Sequence, residues 1–471
     1  MFKVILSFVF PLTAILILAF AVKAFAKDHP RAGGSATNLP PARQSADWVR
    51  DAVIYSAYLR SASPEGTFAG FQKRIPELKA MGITVVWFLP IHPVGVKLKK
   101  GTLGSPYAVR DYYDVNPEFG TLADFRTLVK TIHDNGLHVI IDLVLDHTAW
   151  DNALIETHPD WYKHDAAGKI ISPNTNWTDV AALDFSKPAL RSYLKEMMCW
   201  WVRDVGIDGF RCDVAELVPL DFWVDARKEL DSIKPVLMLS EGSKPEHHVS
   251  AFDITYSWNL YDMLSPLLKG DRSAAALDSL VNDDEQRYPE GSLRLRFNTN
   301  HDKNAWDSPA VLKFGPDRLK LTAVLINTLP GVPLLYTGEE VANDRKLGLF
   351  EKVSVDWNRS HEMGKLYTSL FALRKEHRAI SRGAYLHVPT LNDRQVFAFW
   401  RKLDTDQVLT VVNLSHAEVS TTLNVSDSAV FSHGNGLRLT ELFSGTESDM
   451  EPASPFPVTL PAFGFRIFVT R

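Results

Sequence analysis

The stretch at residues 122–145 reads LADFRTLVKTIHDNGLHVIIDLVL. Its first part places apolar residues at helical spacing up to Ile132, and Gly136 separates this part from a nearly unbroken apolar run over residues 137–145. The spacing predicts an amphipathic helix that ends at a glycine in the left-handed conformation. The apolar run predicts a strand that is buried on both faces, as strands of parallel sheets are.

The same order of helix, glycine and strand occurs twice more, at residues 71–89 around Gly82 and at residues 188–210 around Gly206. With other strand-like runs, it gives eight predicted strands, at residues 53–59, 83–89, 137–145, 207–210, 236–239, 252–256, 293–297 and 332–336. Eight parallel strands over this length predict an α/β fold, the (β/α)8 or TIM barrel. A doubly wound sheet would carry a glycine-rich phosphate turn after its first strand, and this sequence has none there.

The pattern changes at about residue 385 to short strands separated by turn signals, at residues 396–400, 408–413, 421–425, 437–442 and 465–469. Such a pattern predicts an antiparallel β domain, a small β-sandwich or a related barrel. We therefore expect a barrel over residues 47–384, with a short excursion after its third strand at about residues 147–182. The C-terminal β domain would occupy residues 385–471.

The N-terminal segment has a basic start, an apolar run over residues 4–22 and the small-residue pattern Ala24-Phe25-Ala26. These features predict a secretory signal peptide over residues 1–26, and hence a secreted or periplasmic protein without a membrane segment in its mature form. An uncleaved membrane anchor is the alternative, because the apolar run is nearly long enough to span a bilayer. Residues 27–46, rich in proline, glycine, alanine and serine, are predicted to be a flexible tether.

Composition excludes some partners. The chain carries a net charge of -5 and no basic run accompanies its aromatic residues, which argues against nucleic acid. Its two cysteines have no zinc or iron–sulfur spacing.

Three acids follow predicted strands, in the segments 209–213 (GFRCD), 239–242 (LSEG) and 298–302 (NTNHD). Because the chemistry of such barrels lies at the carboxyl ends of the strands, we expect Asp213, Glu241 and Asp302 to share one active site. A single acid at a strand end is as often part of a structural ion pair, so the prediction depends on all three together.

These segments, with residues 142–147 (DLVLDH), closely resemble in order and position the four sequence blocks of the α-amylase family of glycoside hydrolases. The similarity extends to residues 105–121 and 331–338. It implies that Asp213 is the nucleophile, that Glu241 is the general acid/base, and that Asp302 orients sugar hydroxyls and stabilises positive charge. It also implies substrate contacts from Tyr107, His147, Arg211 and His301. In such a site Tyr107 would be a stacking platform and the two histidines would form hydrogen bonds to the sugar.

The chemistry of acetal cleavage requires this set, since a proton must reach the leaving oxygen and a negative group must face the oxocarbenium-like transition state. Arg211 lies two residues before Asp213, on the same face of an extended strand, and we expect its charge to lower the pKa of Asp213. Aromatic residues of the excursion are predicted to form one wall of the cleft: Trp150, Trp161, Tyr162 and Trp177.

The sequence departs from the family pattern at two places. Many α-amylases carry a Lys-His pair where this chain has Glu216 and Leu217, so recognition beyond the cleaved bond is expected to differ. The usual calcium site of the family has Asn where this chain has Asp146, and Asp where the alignment places Ala182. We therefore predict that no cofactor is required and that calcium is not held tightly at that site.

The resemblance implies a retaining hydrolase that cleaves α-1,4-glucosidic bonds in starch, glycogen or maltodextrins. Transglycosylation or isomerisation of α-glucosides through the same intermediate is an alternative, because water exclusion decides between the acceptors. A noncatalytic, membrane-tethered barrel is an alternative from another class of protein, and it is disfavoured because all three acids are present.

Overall fold

The computed structural model describes residues 38–358, 362–425, 430–431, 436–452 and 454–470. The predicted signal peptide at residues 1–26 therefore lies outside the described residues. In the described part of the chain, no helix is both long and apolar enough to cross a membrane.

Eight parallel strands close into a barrel, in the order β1-β10-β9-β8-β7-β6-β3-β2. They are β1 (Ile54–Ala57), β2 (Val85–Phe88), β3 (His138–Leu143), β6 (Gly209–Cys212), β7 (Leu237–Ser240), β8 (Ile254–Tyr256), β9 (Leu293–Arg296) and β10 (Val332–Tyr336). The predicted TIM barrel is thus confirmed, and each predicted strand overlaps one of these eight.

In the described part of the chain, helices surround the barrel, and the last of them packs against the C-terminal domain. The helices are Asp47–Arg50, Leu59–Ala62, Phe68–Gln72, Ile75–Met81, Leu122–Asp134, Leu154–Thr157, Pro188–Trp200, Leu220–Asp231, His247–Ser250, Trp258–Lys269, Ala275–Arg287, Ala310–Phe314, Pro316–Thr328, Glu362–Glu376 and Arg378–Arg382. The predicted helix at 188–205 is α-helical only to Trp200 and continues as a π-turn over Trp201–Val205.

The helix Leu122–Asp134 shows how local sequence sets these boundaries. Thr121 accepts from the Asp124 N–H through its side chain, and the Asp124 carboxylate accepts from the Thr121 N–H at 2.8 Å, which forms a capping box. At the other end, Gly136 adopts φ 68°, which lets the chain turn directly into β3.

The excursion after the third barrel strand contains a small antiparallel pair, β4 (His147–Ala149) and β5 (Val180–Ala182). Because β4 begins four residues after β3 ends, the excursion lies at the carboxyl end of the barrel, where it contributes to the site.

The C-terminal domain consists of antiparallel strands, as predicted, in two sheets that pack around one core and form a sandwich. A six-stranded antiparallel sheet has the order β11-β12-β13-β18-β15-β16 and a two-stranded sheet pairs β14 with β17. The strands are β11 (Ala384–His387), β12 (Val396–Leu403), β13 (Asp406–Asn413), β14 (Val419–Leu423), β15 (Leu437–Glu441), β16 (Glu447–Met450), β17 (Phe456–Leu460) and β18 (Phe465–Thr470). Along β12, Phe397 and Phe399 pack with the barrel core while Ala398 and Trp400 pack inside the sandwich, so the two faces of one strand join the two layers.

The segment before the barrel differs from the prediction of a flexible tether. The Ala42 N–H donates to the Glu290 carbonyl at 2.8 Å, and Arg43 forms ion pairs with Asp231 and Asp253. Part of the predicted tether is therefore fixed to the barrel, and one partner of Arg43, Asp253, is fully buried.

Candidate active site

Arg211, on β6, is the centre of a buried carboxylate cluster. Its Nη1 donates to Asp142 Oδ1 at 2.8 Å and to Asp213 Oδ1 at 2.7 Å, and its Nη2 lies 2.9 Å from Glu241 Oε2. The guanidinium has no exposed surface, and the Asp213 and Glu241 side chains are only 11% and 15% exposed. One planar cation thus brings together acids from three neighbouring strands.

Strand register explains why these acids meet. Asp142 on β3 is directly opposite Arg211 on β6, and Cys212 is opposite Ser240 on β7. Alternate residues point to opposite faces of the sheet, so Arg211 points into the barrel while Cys212 packs in the outer core. Asp213 and Glu241 each follow directly after these strands, at the same edge of the barrel.

Asp142 is completely buried and receives two further hydrogen bonds. Trp87 Nε1 and the Tyr107 hydroxyl both donate to its Oδ2, each at 3.2 Å. Trp87 was not among the predicted site residues, and neither was Tyr256, whose hydroxyl lies 3.3 Å from Arg211 Nε. Trp87 is the penultimate residue of β2 and Tyr256 is the last residue of β8, and a position near the carboxyl end of a barrel strand is the signal that identifies such residues.

Tyr107 and His301 form a second layer at the mouth of the barrel. The Tyr107 hydroxyl lies 2.7 Å from His301 Nε2, and their rings stack at 5.6 Å between centroids. Burial lowers the pKa of His301 to about 3, so its imidazole is neutral. His301 Nε2 also lies 3.3 Å from Asp302 Oδ2, and this contact brings the third acid to the same site.

His147 lies at the start of the excursion and is bound on both ring nitrogens. Its Nε2 donates to the Tyr107 carbonyl at 3.1 Å, and its Nδ1 lies 2.8 Å from Asp146 Oδ1. Although burial opposes it, the charge of Asp146 raises the pKa of His147. His147 therefore anchors the loop that carries Tyr107, and its contact with substrate stays a prediction.

The net pKa of Asp213 differs from the expectation. Burial raises the pKa of Asp213 well above its usual value, and the charges of Glu241 and Asp142 add to this, so the opposing effect of Arg211 is outweighed. Burial likewise raises the pKa of Asp142, to about 7. The predicted effect of Arg211 has the right sign, but one cation shared among three acids does not offset their burial and mutual repulsion.

The predicted aromatic wall is only half correct. Trp161 and Tyr162 are buried, with 7% and 1% exposure, and belong to the core, where Tyr162 bonds with Thr148. Trp150 and Trp177 remain partly exposed, and the ring of Trp177 lies 5.5 Å from that of His147. Trp177 therefore lies beside His147, and the place of Trp150 in the wall stays a prediction.

Comparison with known proteins agrees with this geometry. Residues 40–180 and 174–347 match the family model of the α-amylase catalytic domain. This chain belongs to the α-amylase family. Residues 386–467 of this α-amylase family member match the model of the maltogenic amylase C-terminal domain.

The solved structures similar to this α-amylase family member include a noncanonic maltogenic α-amylase from Thermotoga neapolitana. The two are 32% identical with a TM-score of 0.83, over 90% of this chain and 99% of that one. A cyclomaltodextrinase from Geobacillus thermopakistaniensis is 24% identical over 91% of this chain and 78% of its own length. The α-amylase MalA of Haloarcula japonica is 26% identical over 78% of this chain, which spans only 56% of that relative.

The residues at the family's calcium position do not form a suitable cage. Asp146 Oδ1 is already paired with His147 Nδ1 at 2.8 Å, and Asp179, in the excursion, pairs with Lys100 Nζ at 2.8 Å. Calcium prefers six to eight oxygen ligands, and an ammonium group adjacent to the donors repels a cation. Among the described residues, no group of three or more His, Cys, Asp or Glu is arranged to hold a metal. That no cofactor is required stays a prediction.

Proposed function

We propose that this protein hydrolyses α-1,4-glucosidic bonds in starch, glycogen or maltodextrins with retention of configuration. The observation that carries the proposal is the binding of Asp213 and Glu241 to neighbouring nitrogens of the Arg211 guanidinium. Retaining glycosidases keep their two carboxyl groups close, at about 5–5.5 Å, so that one group attacks the carbon whose leaving group the other protonates.

In the first step, Glu241 donates its proton to the glycosidic oxygen while Asp213 attacks the anomeric carbon. Arg211 holds Asp213 through Oδ1, which leaves Oδ2 to form the ester bond. Glu241 is held through Oε2 by Arg211 and by the Val214 N–H, so Oε1 is the atom that carries the proton. The leaving sugar departs as an alcohol with the proton from Glu241.

In the second step, Glu241 removes a proton from water, and the resulting oxygen attacks the anomeric carbon and releases Asp213. Two inversions at one carbon give net retention. Asp302, 36% exposed at the mouth of the site, faces the sugar hydroxyls and the positive charge of the transition state. Tyr107 and His301 present a stacked aromatic surface beside it.

The names of the relatives support α-glucans as the substrate class. Similar proteins are described as a maltogenic α-amylase and a cyclomaltodextrinase, names that refer to maltose and to cyclic maltodextrins. We infer that this chain acts on short or cyclic maltodextrins as well as on polymeric α-glucans. It would meet them outside the cytoplasm, as the predicted signal peptide implies.

The experiment is incubation of the purified full-length protein with a series of linear and cyclic maltooligosaccharides, followed by proton NMR of the products. We expect shorter sugars that appear first in the α configuration. Asp213→Asn should abolish this turnover in a protein that stays folded, because an amide does not serve as the nucleophile. Initial β products, or equal rates for wild type and Asp213→Asn, would contradict the proposed mechanism, and longer products would favour transglycosylation.

A further inference from the structure

The loops that follow β6 and β7 are joined by hydrogen bonds in both directions. The Val214 N–H, in the first loop, donates to Glu241 Oε2 at 2.8 Å. The N–H groups of Ser243 and Lys244, in the second loop, donate to Glu216 Oε1 at 2.6 and 3.1 Å. Each loop therefore binds, through its main chain, a glutamate of the other loop.

Glu216 is packed closely against the residue that follows Glu241. A Cβ on Gly242 would lie 2.7 Å from Glu216 Cγ and 2.8 Å from its Oε1, distances that real side chains do not reach. Position 242 thus has no room for a side chain while Glu216 is in place. The contact fixes the carboxylate of Glu216 at the main chain of the Glu241 loop.

Two carbonyls of this loop also have hydrogen-bond partners. The Tyr256 N–H donates to the Gly242 carbonyl at 2.9 Å, and the Tyr288 hydroxyl donates to the Ser243 carbonyl at 2.7 Å. Glu216 is the group that binds the N–H side of the same loop, and charge-assisted hydrogen bonds of this type are stronger than neutral ones.

The Asp213 side of the connection is strained. Val214, directly after Asp213, has φ 34° and ψ 46°, a left-handed conformation that is unfavourable for a β-branched residue. Such a conformation persists only where surrounding contacts impose it. Here the Val214 N–H is bound to Glu241, and its carbonyl accepts from the Leu217 N–H at 2.8 Å.

We propose that Glu216 is a positioning residue that fixes Glu241 relative to Asp213 by binding the main chain of the Glu241 loop. The inference rests on the proposed function, since it assigns Glu216 a part in the same reaction. Glu216 acts through the loop, because its Oε1 accepts from two N–H groups of the Glu241 loop. At the two positions where many relatives carry a Lys-His pair, this chain has Glu216 and Leu217. Glu216 contacts the neighbouring loop, and the apolar side chain of Leu217 is 53% exposed.

If Glu216 positions Glu241, the rate lost on removal of Glu216 should depend on the leaving group of the substrate. A sugar leaving group needs the proton of Glu241, whereas fluoride departs without protonation. General acid catalysis contributes about 100- to 10,000-fold, and a displaced acid loses part of that factor. Misplacement of Glu241 should therefore slow cleavage of maltooligosaccharides far more than cleavage of α-maltosyl fluoride.

The experiment compares kcat/KM of full-length wild type, Glu216→Ala and Glu216→Gln on maltohexaose and α-maltosyl fluoride. For Glu216→Ala we expect a loss of about 10- to 100-fold on maltohexaose and less than about 3-fold on the fluoride, as befits a partial loss of acid catalysis. Glu216→Gln keeps an oxygen acceptor and should recover most of the activity. Glu246→Ala, exposed in the same connection, is the matched control and should behave like wild type.

Hydrogen exchange of the peptide that contains residues 241–246 gives a readout independent of turnover. We expect faster exchange in Glu216→Ala and unchanged exchange in Glu246→Ala. If Glu216→Ala does not fold, Glu216→Asp withdraws the acceptor by one methylene and replaces it in both measurements.

Equal losses on the two substrates, no loss on either, or unchanged exchange would each overturn the positioning role of Glu216. Failure of the proposed function has a different signature, because wild type would then cleave neither substrate. That result would overturn both the proposed function and the positioning role of Glu216.

Discussion

The Arg211 guanidinium and the Asp142 carboxylate lie 2.8 Å apart, and neither side chain has any exposed surface. The Asp142 side chain is not exposed to the cleft, but it binds the guanidinium that holds Asp213 and Glu241. Its other oxygen is bound by Trp87 and Tyr107. Stability and activity are therefore linked through one buried pair.

Replacement of Asp142 by alanine should destabilise the protein by about 3–5 kcal/mol, because it leaves a buried cation without its partner. Urea unfolding followed by tryptophan fluorescence measures the loss. Asp449→Ala removes an exposed pair with Arg438 and should change the free energy of unfolding by less than about 1 kcal/mol. Similar values for the two variants would contradict the anchoring role of Asp142.

The raised pKa of Asp213 predicts the acid limb of the activity profile. Asp213 must be ionised to attack, so kcat/KM should fall as pH decreases through a value well above that of an ordinary aspartate. Because the charge of Asp146 adds to this elevation, Asp146→Asn should move the acid limb to lower pH. Rates measured from pH 3 to pH 8 test this, and an unmoved limb in Asp146→Asn would contradict the electrostatic contribution.

Buried neutral histidines predict a loss of stability in acid. Burial lowers the pKa of His92 and His247 to about 4, and that of His248 to about 3, whereas the unfolded chain binds these protons near pH 6.5. Their contribution is complete above pH 6.5 and is lost as pH falls toward 4. Each histidine should cost up to about 1.4 kcal/mol per pH unit in this window.

Unfolding midpoints in urea at pH 7, 6 and 5 measure this slope. His92→Asn should reduce the slope of unfolding free energy against pH by the contribution of one proton, since Asn does not titrate. His158→Asn, an exposed position outside the barrel core, is the comparison. A slope that is equal in His92→Asn and wild type would show that His92 is not buried in its neutral form.

Lys100 is expected to hold the excursion against the barrel. Its Nζ lies 2.8 Å from the buried Asp179 and donates to the Asn176 carbonyl at 2.7 Å. Lys100→Met should lower stability by about 1–3 kcal/mol, because a buried acceptor loses its donor. It should also raise KM, since Trp177 borders the cleft in the same segment. Lys97→Met, exposed in the same loop, should change neither quantity.

The barrel could be predicted from sequence because its strands are continuous apolar runs that alternate with amphipathic helices. The C-terminal strands were harder to predict from sequence. β16 (Glu447–Met450) is largely polar, and β17 (Phe456–Leu460) contains Pro457 and pairs with β14 in a two-stranded sheet. Proline is tolerated at such an edge position, but it argues against a strand when only sequence is known.

The residues of the site could be predicted from sequence, but the net direction of the Asp213 pKa shift could not. Asp213, Glu241, Asp302 and Arg211 come together, because strand ends in a barrel converge. The net direction of the Asp213 pKa depends on burial and on how many acids share Arg211, and neither quantity can be read from spacing. The burial of Trp161 and Tyr162 has the same origin, since it depends on how the excursion folds over the helices.

The first and last strands of the barrel are direct neighbours, with Ile54 of β1 opposite Leu334 of β10. A nascent chain therefore exposes one edge of β1 until β10 has been synthesised. At ribosomal rates of about 5–20 residues per second, this interval lasts roughly 15–60 s. A chain that stops before Val332 would leave two open edges, on β1 and β9, and unpaired edges promote aggregation. Synthesis of the last barrel strand thus determines when the open edges of the nascent barrel are paired and protected from aggregation.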